Sequence, residues 1–279
     1  MADLKGKVAV VTGGSRGVGR GVAQGLAEAG ATVYVTGRSR SSQTPAAPMT
    51  IDATAAEVNA LGGVGIAVAV DHGDDEQIRA LFERVQAEQG RLDILVNNVF
   101  RIPDPPVFGG DFWTLPVSIW DDMVGIGCRA HYLASVYGAP MMVAQGCGLI
   151  ANISSGGGGD YMSSVAYGTG KAAVDRMAKD MGHELKRHGV AAVSLWPGIV
   201  KTEFLLAAVA TRDAGPDLGD QALDLAEAET PRFTGRAIAA LARDPDVMEK
   251  TCGIYRVLDL AREYRFTDTD GSLPTSGRA

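Results

Sequence analysis

An open, doubly wound parallel β-sheet with helices on both faces is the fold this sequence predicts. Three observations carry that expectation. Short, nearly all-apolar runs alternate with longer segments of helical period, which is the sequence mark of βαβ units. A glycine-rich turn follows the first run and opens the first helical segment. The composition, 279 residues with 46% hydrophobic and 21% charged side chains and 36 glycines, is that of a globular chain long enough to bury a sizeable core and rich in tight turns.

Seven runs read as strands: Val8 to Thr12, Thr32 to Thr36, Gly65 to Val70, Leu92 to Asn97, Gly148 to Ser154, Val190 to Trp196 and Gly253 to Asp259. Between the first two, Val18, Val22, Leu26 and Ala29 recur at helical spacing and Gly30 follows where a helix would close. Similar periods predict helices over 52–61, 74–89, 117–145 and 164–188. No linker divides the chain, so one domain over 1–279 is expected. Three stretches break the alternation. Ser39 to Thr50 and Phe100 to Pro116 read as surface loops. Glu203 to Arg232 starts apolar (Phe204, Leu205, Leu206) before an acidic middle and reads as a mobile lid, with an ordinary surface helix pair as the alternative.

A net charge of −7 with both signs mixed along the chain gives no footprint for nucleic acid or an anionic membrane. The three cysteines are too few and scattered for a disulfide framework or a CxxC metal site, which fits a reducing compartment, the cytoplasm by default. No leader is expected, since the first apolar run is short and meets glycines early, and no stretch is long and apolar enough to span a membrane.

After the first run comes Thr12-Gly13-Gly14-Ser15-Arg16-Gly17-Val18-Gly19 and then an amphipathic helix. This is the Rossmann context for a dinucleotide. Glycines let the backbone approach a pyrophosphate, and the helix N-terminus offers free N–H groups and partial positive charge. Gly13, Ser15, Arg16, Gly17, Val18 and Gly19 are therefore candidate cofactor residues. The second run ends Thr36-Gly37-Arg38, where an NAD-binding chain would place an acid against the ribose 2′-hydroxyl. Here Arg38, with Arg16, is suited to grip a 2′-phosphate, and the cofactor expected is NADP(H).

Further along stands Tyr167-Gly168-Thr169-Gly170-Lys171, within a helical period and after a run ending Asn152-Ile153-Ser154-Ser155. A spacing of four puts Tyr167 and Lys171 on one helical face. A phenol is a poor base at neutral pH unless a nearby cation favours the phenolate, and Lys171 is that cation. TGGSRGVG, the NN that closes the fourth run, NISS, YGTGK and PGIVKT, in this order, resemble the short-chain dehydrogenases/reductases over nearly the whole chain. WDDMVGIGCRAHYLASVYGA, HELKRHGV and SLWPGIV look like that family's member 1 subgroup.

The resemblance implies hydride transfer between nicotinamide and a small-molecule carbonyl or alcohol. Tyr167 would be the general acid of reduction or the base of oxidation, and Lys171 would lower its pKa and hold the nicotinamide ribose. Ser155 would polarise the substrate oxygen, with Ser154 as the alternative because the interval to Tyr167 is one residue shorter than in many relatives. Asn97 would sit beside the adenine ribose, Asp71 near adenine, and Pro197, Gly198, Ile199 and Thr202 around the nicotinamide. It also implies a homodimer or homotetramer paired through segments 117–145 and 164–188.

Two departures from the family pattern matter. Val99-Phe100 replaces the usual Ala-Gly, and Gly127 stands where the family carries an asparagine that helps a water relay protons to the lysine. The glycine position would hold a water or expose a carbonyl, and restoring asparagine there would test the relay. An active enzyme with an altered relay is expected; a catalytically impaired NADP-binding sensor or interaction protein is the alternative. Phe108, Phe112, Trp113 and Phe204 point to an apolar substrate pocket within loops 100–116 and 203–232, suited to a medium-sized hydrophobic ketone or aldehyde. No metal site is expected: His183 and His188 lie five apart where HExxH needs four, and the Asp268-Thr269-Asp270-Gly271 stretch has no closing glutamate for calcium.

Overall fold

The computed structural model describes residues 4–41, 49–104, 106–107, 109–210, 225 and 227–275. The central apolar runs form strands buried on both faces, the two edge runs are partly exposed, and all the pairings between them are parallel. The strands are β1 (Val8–Val11), β2 (Thr32–Gly37), β3 (Val64–Ala69), β4 (Ile94–Asn97), β5 (Gly148–Ile153), β6 (Val190–Trp196) and β7 (Ile254–Arg256). They lie in the order β3-β2-β1-β4-β5-β6-β7. The chain crosses from one edge back to the centre between β3 and β4, so a crevice opens where β1 and β4 end side by side, Val11 opposite Val96.

Helices α1 (Gly17–Glu28), α2 (Ile51–Ala60) and α3 (Asp75–Gln89) follow the first three strands. After β4 come α4 (Ser118–Trp120), a π-helical stretch (Asp121–Arg129) and α5 (Ala130–Gln145). Then follow α6 (Val165–Leu185), α7 (Glu203–Ala210), α8 (Pro231–Arg243) and α9 (Val257–Tyr264). One core, with Val22, Leu26, Val33, Phe233, Ile238 and Leu260, fills the face under α1, α8 and α9. A second, with Tyr34, Ile78, Phe82, Leu95 and Met142, fills the face under α3 and α5. Helices α1 and α8 cross with backbones almost touching: a Cβ on Gly21 would lie 2.1 Å from the carbonyl carbon of Pro231, and one on Gly25 2.5 Å from that of Gly235.

Three expectations need correction. The last strand stops at Arg256 rather than Asp259, because Val257, Leu258, Leu260 and Ala261 are buried at helical spacing and begin α9. The helix over 117–145 is interrupted by the π stretch, which contains Gly125 and Gly127 where α-helix propensity is weakest. The expected lid is divided: Glu203–Ala210 is α7, 211–224 and 226 lie outside the described residues, and Pro231-Arg232 already belong to α8. Among the described residues no helix is long and apolar enough to cross a membrane, and no cluster of ligating side chains fits a metal.

Candidate active site

The glycine turn is closed from beneath. Gly13 adopts φ +69°, and a Cβ there would lie 2.9 Å from Cα of Val99. A Cβ on Gly19 would lie 2.2 Å from the Gly13 carbonyl oxygen, so the turn folds onto its own helix. Asn98 Nδ2 donates to the carbonyls of Thr12 (2.8 Å) and Gly13 (3.1 Å). In return the Thr12 hydroxyl oxygen accepts the N–H groups of Asn98 (2.9 Å) and Val99 (3.1 Å). The first turn of α1 has neither an acidic residue nor a side-chain cap of its own. This end of the helix lines a cavity of about 670 Å³, within the usual range of ligand pockets.

One carboxylate does reach this helix end. Glu203, the first residue of α7, accepts the Gly17 N–H on Oε2 (2.8 Å) and pairs through Oε1 with Arg20 (3.1 Å). At the other side of the crevice Arg16 and Arg38 are both exposed and both line the cavity. Arg38 is 4.0 Å from Asp71, and Arg16 forms no ion pair among the described residues.

Where β5 ends, α6 begins with Ser164 as its N-cap, its hydroxyl accepting the Tyr167 N–H (3.2 Å). The Tyr167 and Ser155 hydroxyls are 2.9 Å apart. Ser154, by contrast, donates to the Lys171 carbonyl (3.2 Å) and is buried, so of the two serines it is Ser155 that meets the phenol. The shortened interval is taken up by a 3-10 turn of glycines, Gly156–Gly158, lying flat on α6. A Cβ on Gly157 would lie 2.7 Å from Cε1 of Tyr167.

Lys171 Nζ donates to the Ile153 carbonyl (3.2 Å), and burial pushes its pKa down to about 8, against the opposing pull of Asp175 and Cys128. Burial raises the Tyr167 phenol above its ordinary value, only partly offset by Ser155. The Lys171 ammonium is 5.8 Å from the ring centroid, and the phenol is neutral at neutral pH.

The two departures noted in the sequence prove to be one feature. A Cβ on Gly127 would lie 2.6 Å from Cδ2 of Phe100, so the phenyl ring fills the place of the side chain that Gly127 lacks. The ring stands edge-on to Tyr167 with centroids 5.9 Å apart and lies 5.0 Å from Lys171 Nζ. Its main chain is anchored just before it: Val99 donates to Thr12 and its carbonyl lies 3.0 Å from Nε2 of buried His131. Burial pushes that imidazole down to about 3, so it is neutral and donates.

All residues expected to touch a dinucleotide line the cavity except Asn97 and Ile199. Asn97, the last residue of β4, alternates away from the crevice and donates to Ser135 (2.9 Å) and Asn152 (2.8 Å), while its neighbour Asn98 faces the crevice. Ile199 accepts the Glu229 N–H (2.9 Å) in a bridge beside Val200. Phe204 lines the cavity, but Phe112 and Trp113 pack edge-on against each other in solvent, 61% and 70% exposed, and Phe108 lies outside the described residues. The apolar wall comes instead from Phe100, Ile102, Val107, Met123 and Ile126. Sequence reading missed Asn98, Glu203 and Asp175; the second asparagine of the NN pair and the acid following PGIVKT were the available signals.

A family model described as short chain dehydrogenase matches residues 7–213. The chain is 46% identical over 276 residues to Dehydrogenase/reductase SDR family member 1 of Mus musculus, covering 97% of this chain and 86% of that protein. It is 45% identical to the Homo sapiens protein of the same name, over 97% and 85% of the two chains. A metagenomic short-chain oxidoreductase solved in complex with NADP superposes with a TM-score of 0.70 at 29% identity, covering 91% of this chain and 97% of that one.

Proposed function

The chain belongs to the short-chain dehydrogenase family, and from that premise we propose an NADP(H)-dependent oxidoreductase that reduces an apolar ketone or aldehyde, or runs the reverse oxidation. The observation that carries this reading is the 2.9 Å contact between the Ser155 and Tyr167 hydroxyls, open to the same cavity as the glycine turn. Two hydroxyls at that separation converge on one oxygen, as a polarised carbonyl requires. The raised pKa of Tyr167 keeps its proton on the phenol, ready for a developing alkoxide, and the Lys171 ammonium lies 5.8 Å from its ring centroid.

The residues present fit a dinucleotide. Side chains on Gly13, Gly14 or Gly19 would collide with their surroundings, Gly17 adopts φ +55°, and the α1 N-terminus lacks an acid in its own first turn. Gly13 to Gly19 would hold the pyrophosphate, Arg16 and Arg38 a 2′-phosphate, and Pro197, Gly198 and Thr202 the nicotinamide end. When bound, the cofactor supplies or accepts the hydride. Asp71 would lie near adenine, and Asn98 supports the ribose side in place of Asn97. The NADP of the structural relative supports the same choice.

The reading takes the chain as one catalytic domain whose loops 100–116 and 203–232 contact substrate. It extends to a cytoplasmic homodimer or homotetramer, supported by three unpaired cysteines and by exposed Trp120, Tyr132, Val136 and Val165 on the α4–α6 side. NADPH oxidation measured across a broad carbonyl panel tests the proposal. Turnover of hydrophobic ketones that disappears in Tyr167→Phe, with NADPH binding retained, is expected. No turnover of any carbonyl despite NADPH binding would replace it with the binding-protein alternative.

A further inference from the structure

Asp175 lies one turn beyond Lys171, so Tyr167, Lys171 and Asp175 follow one another along the same face of α6. Its carboxylate is only 6% exposed, a burial that an ionised carboxylate tolerates only with strong partners. Ser194 Oγ donates to Oδ1 at 2.5 Å, and the Trp196 indole N–H lies 3.0 and 3.1 Å from the two oxygens. Both donors come from β6 and neither carries charge. On the far side a Cβ on Gly158 would lie 2.4 Å from Oδ2 and 3.1 Å from the carbonyl carbon of Lys171. The glycine turn that follows Ser155 is therefore pressed onto Asp175 with no space for water.

We propose that Asp175 is a positioning residue of the site: its buried carboxylate, fixed by Ser194 and Trp196, is the counter-charge that keeps Lys171 an ammonium and binds the Ser155 turn to α6. The groups facing Lys171 come from three elements. Tyr167 and Asp175 are on α6, Cys128 is on the π stretch and His131 is on α5. Tyr167 and Cys128 are held neutral by burial, and His131 is held neutral by the same cause. Among the described residues Asp175 is therefore the one carboxylate that acts on the lysine. The Phe100 ring closes the opposite side at 5.0 Å and brings no acceptor oxygen. A lysine enclosed this way gives up its proton more readily when the carboxylate is neutralised.

Since this rests on the carbonyl-reducing reading, the test has two arms. In Asp175→Asn the amide oxygen still accepts from Ser194 and Trp196 while the charge is gone. The alkaline limb of kcat/KM for NADPH-dependent ketone reduction, followed from pH 6 to 10, should move to lower pH by about one unit. A folded variant whose limb does not move overturns the proposal. The second arm needs no turnover: melting temperatures at pH 7 of wild type, Asp175→Asn, Lys171→Met and the double variant. Lys171→Met strands a buried carboxylate, so Asp175→Asn should lower the melting temperature of wild type and raise that of Lys171→Met. If Asp175→Asn alone fails to fold, the double variant should fold. Additive effects, or a double variant no better than Asp175→Asn, would defeat the proposal, while coupling without turnover on any carbonyl would defeat only the functional reading.

Discussion

Gly127→Ala measures the fit between Phe100 and the π-helical stretch. At an ordinary helical position the change stabilises by about 0.8–1 kcal/mol, because alanine loses less backbone freedom. Here the new methyl would lie 2.6 Å from Cδ2 and 3.0 Å from Cε2 of Phe100, well inside van der Waals contact. Overpacking of that kind costs about 1–3 kcal/mol, so the net effect runs from near neutral to a loss of about 2 kcal/mol. The ring cannot retreat freely, since Tyr167 stands edge-on to it and Lys171 lies 5.0 Å from its centroid. In a Phe100→Ala background the collision is gone and the same change should gain close to the full helical increment. The cycle therefore predicts a coupling of about 1–3 kcal/mol, read by urea unfolding of the four proteins. A Gly127→Ala change that stabilises both backgrounds equally would show that the ring does not fill this place. The cycle also explains why Gly127→Asn alone is no test of a proton relay: the restored side chain meets Phe100, and only Phe100→Ala/Gly127→Asn provides room for it.

Removing Arg16 or Arg38 by alanine substitution should weaken NADPH binding about 10- to 100-fold, the range of one charged hydrogen bond, and leave NADH binding unchanged in fluorescence titrations. Glu203→Gln removes the carboxylate that holds the Gly17 N–H at 2.8 Å, so NADPH should bind about fivefold tighter, equivalent to about 1 kcal/mol; weaker binding would mean that α7 clasps the cofactor through this residue. Buried His72 and His131 are pushed down to about 4 and about 3, so the unfolded chain takes up protons first as pH falls below 6.5. Stability is then full above that pH and is lost toward pH 4, by about 2 kcal/mol per imidazole at pH 5. Urea unfolding at pH 7 and 5 measures the loss, and His72→Asn should remove about half of it.

Local order was legible wherever a local rule governs it. The apolar runs gave β1 to β6 within one or two residues, since a strand inside a sheet covered on both faces must be nearly continuously apolar and the edge strand β3 keeps a short apolar run. The glycine turn, Tyr167 and Lys171 were legible because strand, turn and four-residue spacing each constrain neighbours in the chain. The misread residues share a different property. Asn97 and Asn98 carry the same side chain, and only strand pleating sends one inward to Ser135 and the other to the crevice. Phe112 and Trp113 are as apolar as Phe100, yet they pair with each other in solvent.

By itself, then, the sequence determined the doubly wound sheet, the glycine turn at its crevice and the placing of Tyr167 and Lys171 on one helical face, because periodicity and spacing are written between residues a few positions apart. Tertiary structure alone decided that Ser155 rather than Ser154 meets the phenol and that Phe100 and Gly127 form one packing unit. It also placed Asp175 beneath Lys171 with donors from β6. These contacts are set by which side chains meet when close packing has excluded water, and no rule of local spacing links partners that come from different elements.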